Sequence, residues 1–193
     1  MIVRAPRALL LKSFAAELER YTATHIALEH GMMASPVCVT SAIEIAAPRS
    51  AVWARLCDAE MPATAPCEFR LGPFGPPRPL RCELPEGVGG VGATRRCVSE
   101  RGTVLQRVTE WRTDERLAFE LVAEDAGLGA HVAAMCDVFE LAPGAAGGTR
   151  LTRRTELVPR GPCPRLRGLA LAVALRRVHR FTMRGFRHVV EAA

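Results

Sequence analysis

Two stretches of this chain place polar side chains where the apolar face of a strand should run. In MCDVFEL, Met135, Asp137, Phe139 and Leu141 alternate onto one face, and in TRLTRRTEL, Thr149, Leu151, Arg153, Thr155 and Leu157 do the same. A third stretch, RLAFELV, has the wholly apolar set Leu117, Phe119 and Leu121. With these as inner faces, Asp137, Arg153 and Thr155 point into the interior, and Asp137 can pair with Arg153. A buried charge is costly unless it is paired, so such a pair in a pocket is a place where a polar group of a ligand is read. Alternation alone leaves the opposite arrangement open, with the strands turned over and both charges in water.

Other chemistry is thin. Of five histidines, His25 and His30 fall on an N-terminal helix, His131 opens a strand, and His179 and His188 lie on the last helix. There is no H-E-x-x-H, so no metal is expected. His179 lies near the inward stripe of its helix. It is placed either to act as a general acid or base near neutral pH or to bond a neighbour as a structural imidazole. No G-x-S-x-G elbow is present. GVGGVGAT precedes a strand rather than a helix, so it reads as a turn and not as a phosphate cradle. The seven cysteines (38, 57, 67, 82, 97, 136 and 163) are odd in number and contain no C-x-x-C pair. They are expected to be reduced, mostly buried small hydrophobes. No cofactor is expected.

These residues need elements to position them. Residues 6–30 carry Leu10, Leu11, Phe14, Leu18, Tyr21 and Ile26 at helical spacing, which predicts an amphipathic helix followed by a linker up to residue 36. From Val37 the period becomes two, with Val37, Val39, Ser41, Ile43 and Ile45 on one face of a strand. Pro48 opens a short helix with Val52, Leu56 and Trp53 inward, and a second helical turn is expected before Pro66. Residues 67–90 are rich in Pro and Gly, with CEFRLG and LRCEL as short strands. Strands follow at 91–100, 103–111, 116–124, 131–141 and 149–158, separated by turn residues, which predicts an antiparallel meander. Period 3.6 returns from Arg165 to Glu191, with Leu171, Leu175, Val178, Thr182 or Phe181, Gly185 and Val189 on one face. The division is therefore 1–36, helix and linker, and 37–193, one domain.

About half of the residues are apolar (49%) and 24% are charged, which is globular composition. No run reaches the roughly 18 apolar residues of a spanning helix, and Lys12, Glu17 and Glu19 interrupt the apolar start. A soluble cytoplasmic protein is expected. The net charge of +6 comes from residues 150–193, where eleven arginines face only Glu156 and Glu191. That is either a solvated helix face or a surface for an anionic membrane; nucleic acid is not expected. The N-terminal helix is expected to pack outside the domain or to mediate self-association.

The order and wording of the segments are similar to those of a known superfamily. SAIEIAAPRSAVWARLCD resembles the opening strand, Ala-Pro and helix of START-like (SRPBCC) proteins. EGVGGVGATRRCVSERGTVLQRVTEW, DERLAFEL and VFELAPGAAGGTRLTRRTEL resemble the strands that follow, and LRRVHRFTMRGFRHV the terminal helix of bacterial polyketide cyclase/dehydrase and lipid-transport-like members. The resemblance covers 37–192. It implies an α+β helix-grip fold, with a curved antiparallel sheet of six or seven strands wrapped around the last helix and two short helices after the first strand. It also implies a pocket for a small hydrophobic molecule (lipid, polyketide-like or steroid-like).

Because Thr182 and Gly185 are small where a tight core would want Leu, space should remain between helix and sheet. The expected ligand-binding set is Leu117, Phe119, Met135, Asp137, Phe139, Leu151, Arg153, Thr155, Val178, His179, Thr182 and Gly185. A carrier or sensor needs only the cavity. A cyclase or dehydratase, without metal or cofactor, needs an acid and a base across it, and an interaction module needs only the Arg-rich helix. The lack of an evident acid–base set favours binding.

Overall fold

The computed structural model describes residues 36–57, 79–83, 89–124 and 127–192. Seven strands form one sheet: β1 (Val37–Ile45), β2 (Pro79–Glu83), β3 (Thr94–Ser99), β4 (Gly102–Arg112), β5 (Arg116–Glu124), β6 (Val132–Pro143) and β7 (Thr149–Pro159). Their order is β1-β7-β6-β5-β4-β3-β2, and every pair is antiparallel. From β2 to β7 each strand lies beside its successor, as short turn-rich connectors favour. β1 alone pairs out of order, on β7 from Val37↔Leu157 to Ile45↔Thr149. Two α-helices, α1 (Arg49–Cys57) and α2 (Pro164–Glu191), and a 3-10 turn at Ala145–Gly147 complete the described fold. This is the α+β helix-grip architecture.

Alternation decides which face is inward. β7 buries Thr149, Leu151, Arg153, Thr155 and Leu157 and leaves Arg150 exposed and Thr152, Arg154 and Glu156 partly covered. Asp137, Phe139 and Leu141 of β6 are buried beside them. Asp137, Arg153 and Thr155 therefore face the interior, and the arrangement with both charges in water does not occur. Register shifts between Leu105 and Gln106, between Val108 and Glu110, and between Val132 and Ala134 mark bulges that add twist and bend. The sheet curves, and α2 crosses its inner side, packed chiefly on β1 and β7 and against α1. The approach is close at Gly168, where a Cβ would lie 2.8 Å from Val37 Cγ2.

One end of the molecule is solid. Ile45, Val52, Trp53, Leu56, Val108, Leu117, Phe119, Phe139, Leu141, Leu151, Met183 and Phe186 form a single buried cluster. Trp53 meets Trp111 edge to face at 5.2 Å, and Phe139 stands edge-on to both Phe119 and Phe186 at 6.4 Å. Glu191, at the end of α2, accepts a hydrogen bond from the Ala46 backbone N–H (2.9 Å), which ties the helix to the end of β1.

Three expectations need correction or limits. The strand expected from residue 91 starts at Thr94, because Gly92 adopts φ +90, a left-handed conformation that breaks the extended chain. The cysteines are not all reduced and mostly buried. Cys82 and Cys97 are direct partners across β2 and β3 and form a disulfide, and Cys38 and Cys163 are exposed. A register between two strands, not a sequence spacing, brings the pair together. The helix expected at 6–30, the second helical turn before Pro66 and the strand CEFRLG lie outside the described residues. Among the described residues no helix is long and apolar enough to cross a membrane. The outer side of α2 exposes Arg176, Arg180, Arg184 and Arg187.

Candidate functional site

Asp137 and Thr155 are direct partners across β6 and β7, and Arg153 lies two residues from Thr155 on the same face. The Arg153 guanidinium donates to Asp137 through Nε (3.1 Å to Oδ1) and Nη2 (2.9 Å to Oδ2), the two-pronged geometry that suits a planar carboxylate. Its Nη1 donates to Thr182 Oγ1 of α2 (3.0 Å), and the Thr182 hydroxyl donates to the Val178 carbonyl (3.0 Å). The guanidinium also lies 5.2 Å from the centre of the Phe139 ring.

On the other side of Asp137 the network reaches the helix and β1. Thr155 Oγ1 donates to Asp137 Oδ1. Having given its only proton, it must accept from His179 Nε2 at 2.7 Å. His179 is therefore the Nε2–H tautomer, and its Nδ1 accepts from Ser41 Oγ at 3.1 Å. Burial, then the charge of Arg153, lower the His179 pKa to about 4, against a weaker opposing pull from Asp137, so the ring is neutral at pH 7. Burial alone would raise the Asp137 pKa. The charge of Arg153 and hydrogen bonds from Arg153 and Thr155 outweigh it and hold the carboxyl below the usual carboxylate range.

Beside this network lies a cavity of about 400 Å³ between α2 and the sheet. From α2 it is lined by Leu171, Ala174, Leu175, Val178, Thr182 and Phe186; from β6 and β7 by Met135, Asp137, Phe139, Arg153 and Leu157. From β3 and β4 come Arg95, Cys97, Val98, Ser99, Val104 and Gln106, and Cys82, Arg101, Gly127, Leu128 and His131 also line it. The size is that of an ordinary small-molecule pocket.

Of the residues expected from the sequence, Met135, Asp137, Phe139, Arg153, Val178 and Thr182 lie on the cavity wall. Leu117, Phe119 and Leu151 belong instead to the packed cluster at the solid end. Thr155 and His179 are buried behind the wall, in the network. Gly185 is half-buried on α2 and is not part of the wall, so the space lies further toward the start of the helix, around Ala174.

The residues that sequence reading missed are Arg95 and Gln106. They are partners across β3 and β4, both buried, and both on the wall. Their signal was the pair Arg95-Arg96 in an alternating strand: one of the two must face inward.

The network restricts what chemistry is open. Asp137 is ionised and saturated with donors, which makes it a poor base. His179, fully buried behind Thr155, does not reach the cavity wall. The Cys136 thiol is pushed up to about 12, first by burial and then by the nearby carboxylates Glu120, Glu156 and Asp137, and is no nucleophile. Among the described residues no group of three or more His, Cys, Asp or Glu is placed to hold a metal ion.

Solved structures share this architecture. The chain is similar to the ZhuI aromatase/cyclase from Streptomyces sp. R1128 (TM-score 0.59, 16% identity, covering 81% of this chain and 94% of that one). It is also similar to XoxI from Bacillus cereus (TM-score 0.56, 13% identity, 80% and 95% covered) and to Ara h 8.0201 (TM-score 0.54, 12% identity, 82% and 100% covered). At such identities the likeness is one of fold alone. No curated protein matches the sequence. The profile of one family does match, over residues 36–191, which takes in every described strand and both helices. The chain belongs to that family, described as polyketide cyclase/dehydrase and lipid transport.

Proposed function

We propose that this protein binds one small, mostly hydrophobic molecule between α2 and the sheet, as a carrier or sensor rather than as a catalyst. The observation that carries the reading is the cavity itself. About 400 Å³ stays open beside a core that is otherwise filled, and Leu, Val, Met and Phe side chains line it together with a few polar groups. Empty apolar volume lowers stability, since its lining loses packing contacts, and a ligand that fills it restores them. Catalysis is the second reading, and the fold shared with an aromatase/cyclase favours it. Against it, the acid–base candidates Asp137 and His179 are already satisfied by each other's network.

The test is titration with the neutral fluorescent probe N-phenyl-1-naphthylamine. Wild type should bind it saturably with one site. Ala174→Phe, which places a ring in the cavity from α2, should weaken binding by at least about tenfold with an unchanged or raised melting temperature. Absence of saturable binding, or equal binding by the variant, overturns the reading.

A further inference from the structure

Arg95 is a charged group on the cavity wall with no hydrogen-bonded or ion-paired partner among the described residues. It sits on β3 with its neighbour Arg96 exposed on the other face, and it is only 4% exposed. Its guanidinium lies 4.8 Å from the centre of the Phe119 ring, which covers one planar face. Among the described residues its N–H groups make no hydrogen bond and no salt bridge. A ring face accepts no N–H from the edge of the fork, so donors remain directed at the cavity.

The charges of the wall do not cancel. Among the described residues of the wall, Arg95 and Arg153 share one carboxylate, Asp137, which already takes two hydrogen bonds from Arg153 and one from Thr155. Burial, then repulsion by Arg153, pull Arg95 down to about 10, still charged at neutral pH. An unpaired buried cation is strongly unfavourable. It is retained at low cost only where something that comes and goes supplies the counter-charge. Gln106, its partner on β4, shares the wall and adds a further polar group.

We infer that the molecule held in this cavity carries a carboxylate, bound two-pronged by Arg95 from β3, with its apolar body lying along Met135, Leu171, Leu175 and Val178. This rests on the cavity-binding reading and narrows it, from a hydrophobic molecule to a hydrophobic acid. The guanidinium fork matches a carboxylate plane, and the Phe119 ring behind it fixes the plane of the fork before the ligand arrives.

The experiment displaces N-phenyl-1-naphthylamine with 2-naphthoate and, separately, with its methyl ester at pH 7.5. Wild type should bind the acid at least about tenfold more tightly than the ester, and Arg95→Met should reduce that preference by about tenfold to a hundredfold, the scale of a hydrogen bond to a charged group. The preference is read as the ratio of acid to ester within each protein, so any change in the affinity of the neutral probe cancels from it. Arg96→Met, on the outer face, should leave the preference intact.

If wild type binds acid and ester alike, or Arg95→Met keeps the preference, the carboxylate assignment is wrong while the cavity reading stands. If the neutral probe itself does not saturate, both are wrong. Should Arg95→Met not fold, the wild-type ratio of acid to ester still decides the matter.

Discussion

Asp137 and Arg153 should be worth far more to each other than either is alone, and a double-mutant cycle measures it. The side chains are 4% and 11% exposed, so solvent screens them little, and two hydrogen bonds join them. Opposite charges centred about 4 Å apart interact by about 4 kcal/mol at an effective dielectric constant near 20. Removing one partner of such a pair typically costs about 3–5 kcal/mol, because the other charge is left buried and uncompensated. Arg153→Met and Asp137→Leu should each cost that much. In a chain of this size it is a fall of very roughly 6–20 °C in melting temperature, and about a third of a typical domain's stability.

The double variant replaces the pair with apolar side chains of similar length. It should recover most of the loss, leaving a coupling of several kcal/mol. Urea unfolding followed by the fluorescence of Trp53 and Trp111, both packed at the solid end, reports each value. Single variants that cost under about 1 kcal/mol, or a double variant whose cost equals the sum of the singles, would refute the buried pair.

Acid should destabilise the protein in a window set by His179. Its pKa is about 4 when folded and near 6.5 when unfolded, so between those values the unfolded chain binds a proton that the folded chain refuses. Stability should fall by about 3 kcal/mol as pH drops from 7 to 4, and His179→Gln should flatten this stretch of a urea-midpoint profile; Asp137, its pKa lowered, adds its own loss at lower pH. Gly168→Ala should lower the urea midpoint despite its better helix propensity. The added methyl meets Val37 Cγ2 at 2.8 Å and pushes α2 off β1, at a cost of about 1–3 kcal/mol. Reducing Cys82–Cys97, which are 15 residues apart, should cost about 3 kcal/mol in unfolding experiments with and without reductant. Under native alkylation Cys38 and Cys163 should be labelled and Cys136 spared, with mass spectrometry as the readout.

What the sequence determined by itself is everything that depends on period. Alternation over 149–158 and 131–141 put Arg153, Thr155 and Asp137 on one face with their apolar neighbours, because side-chain direction in a strand repeats every two residues; that this face is the inner one was decided by the packing of α2 and the neighbouring strands. The 3.6 period over 165–191 likewise placed Leu171, Leu175, Val178 and Thr182 toward the sheet. Tertiary structure decided whatever depends on where one element lies along another.

The Cys82–Cys97 bond needs the β2–β3 register, which the Pro- and Gly-rich stretch between residues 67 and 90 does not encode in its spacing. Gly185 shares the stripe of Thr182 yet is absent from the cavity wall, since the position of the open space depends on how far α2 slides over β1 and β7. His179 proved to be the neutral member of a closed chain of hydrogen bonds because Ser41, 138 residues away, meets its other nitrogen. The inward member of the Arg95-Arg96 pair was undetermined, since two adjacent arginines satisfy either phase of a period of two. Only the pairing of β3 with β4 and the bulged pairing of β4 with β5, with Phe119 beneath Arg95, resolve which one is buried.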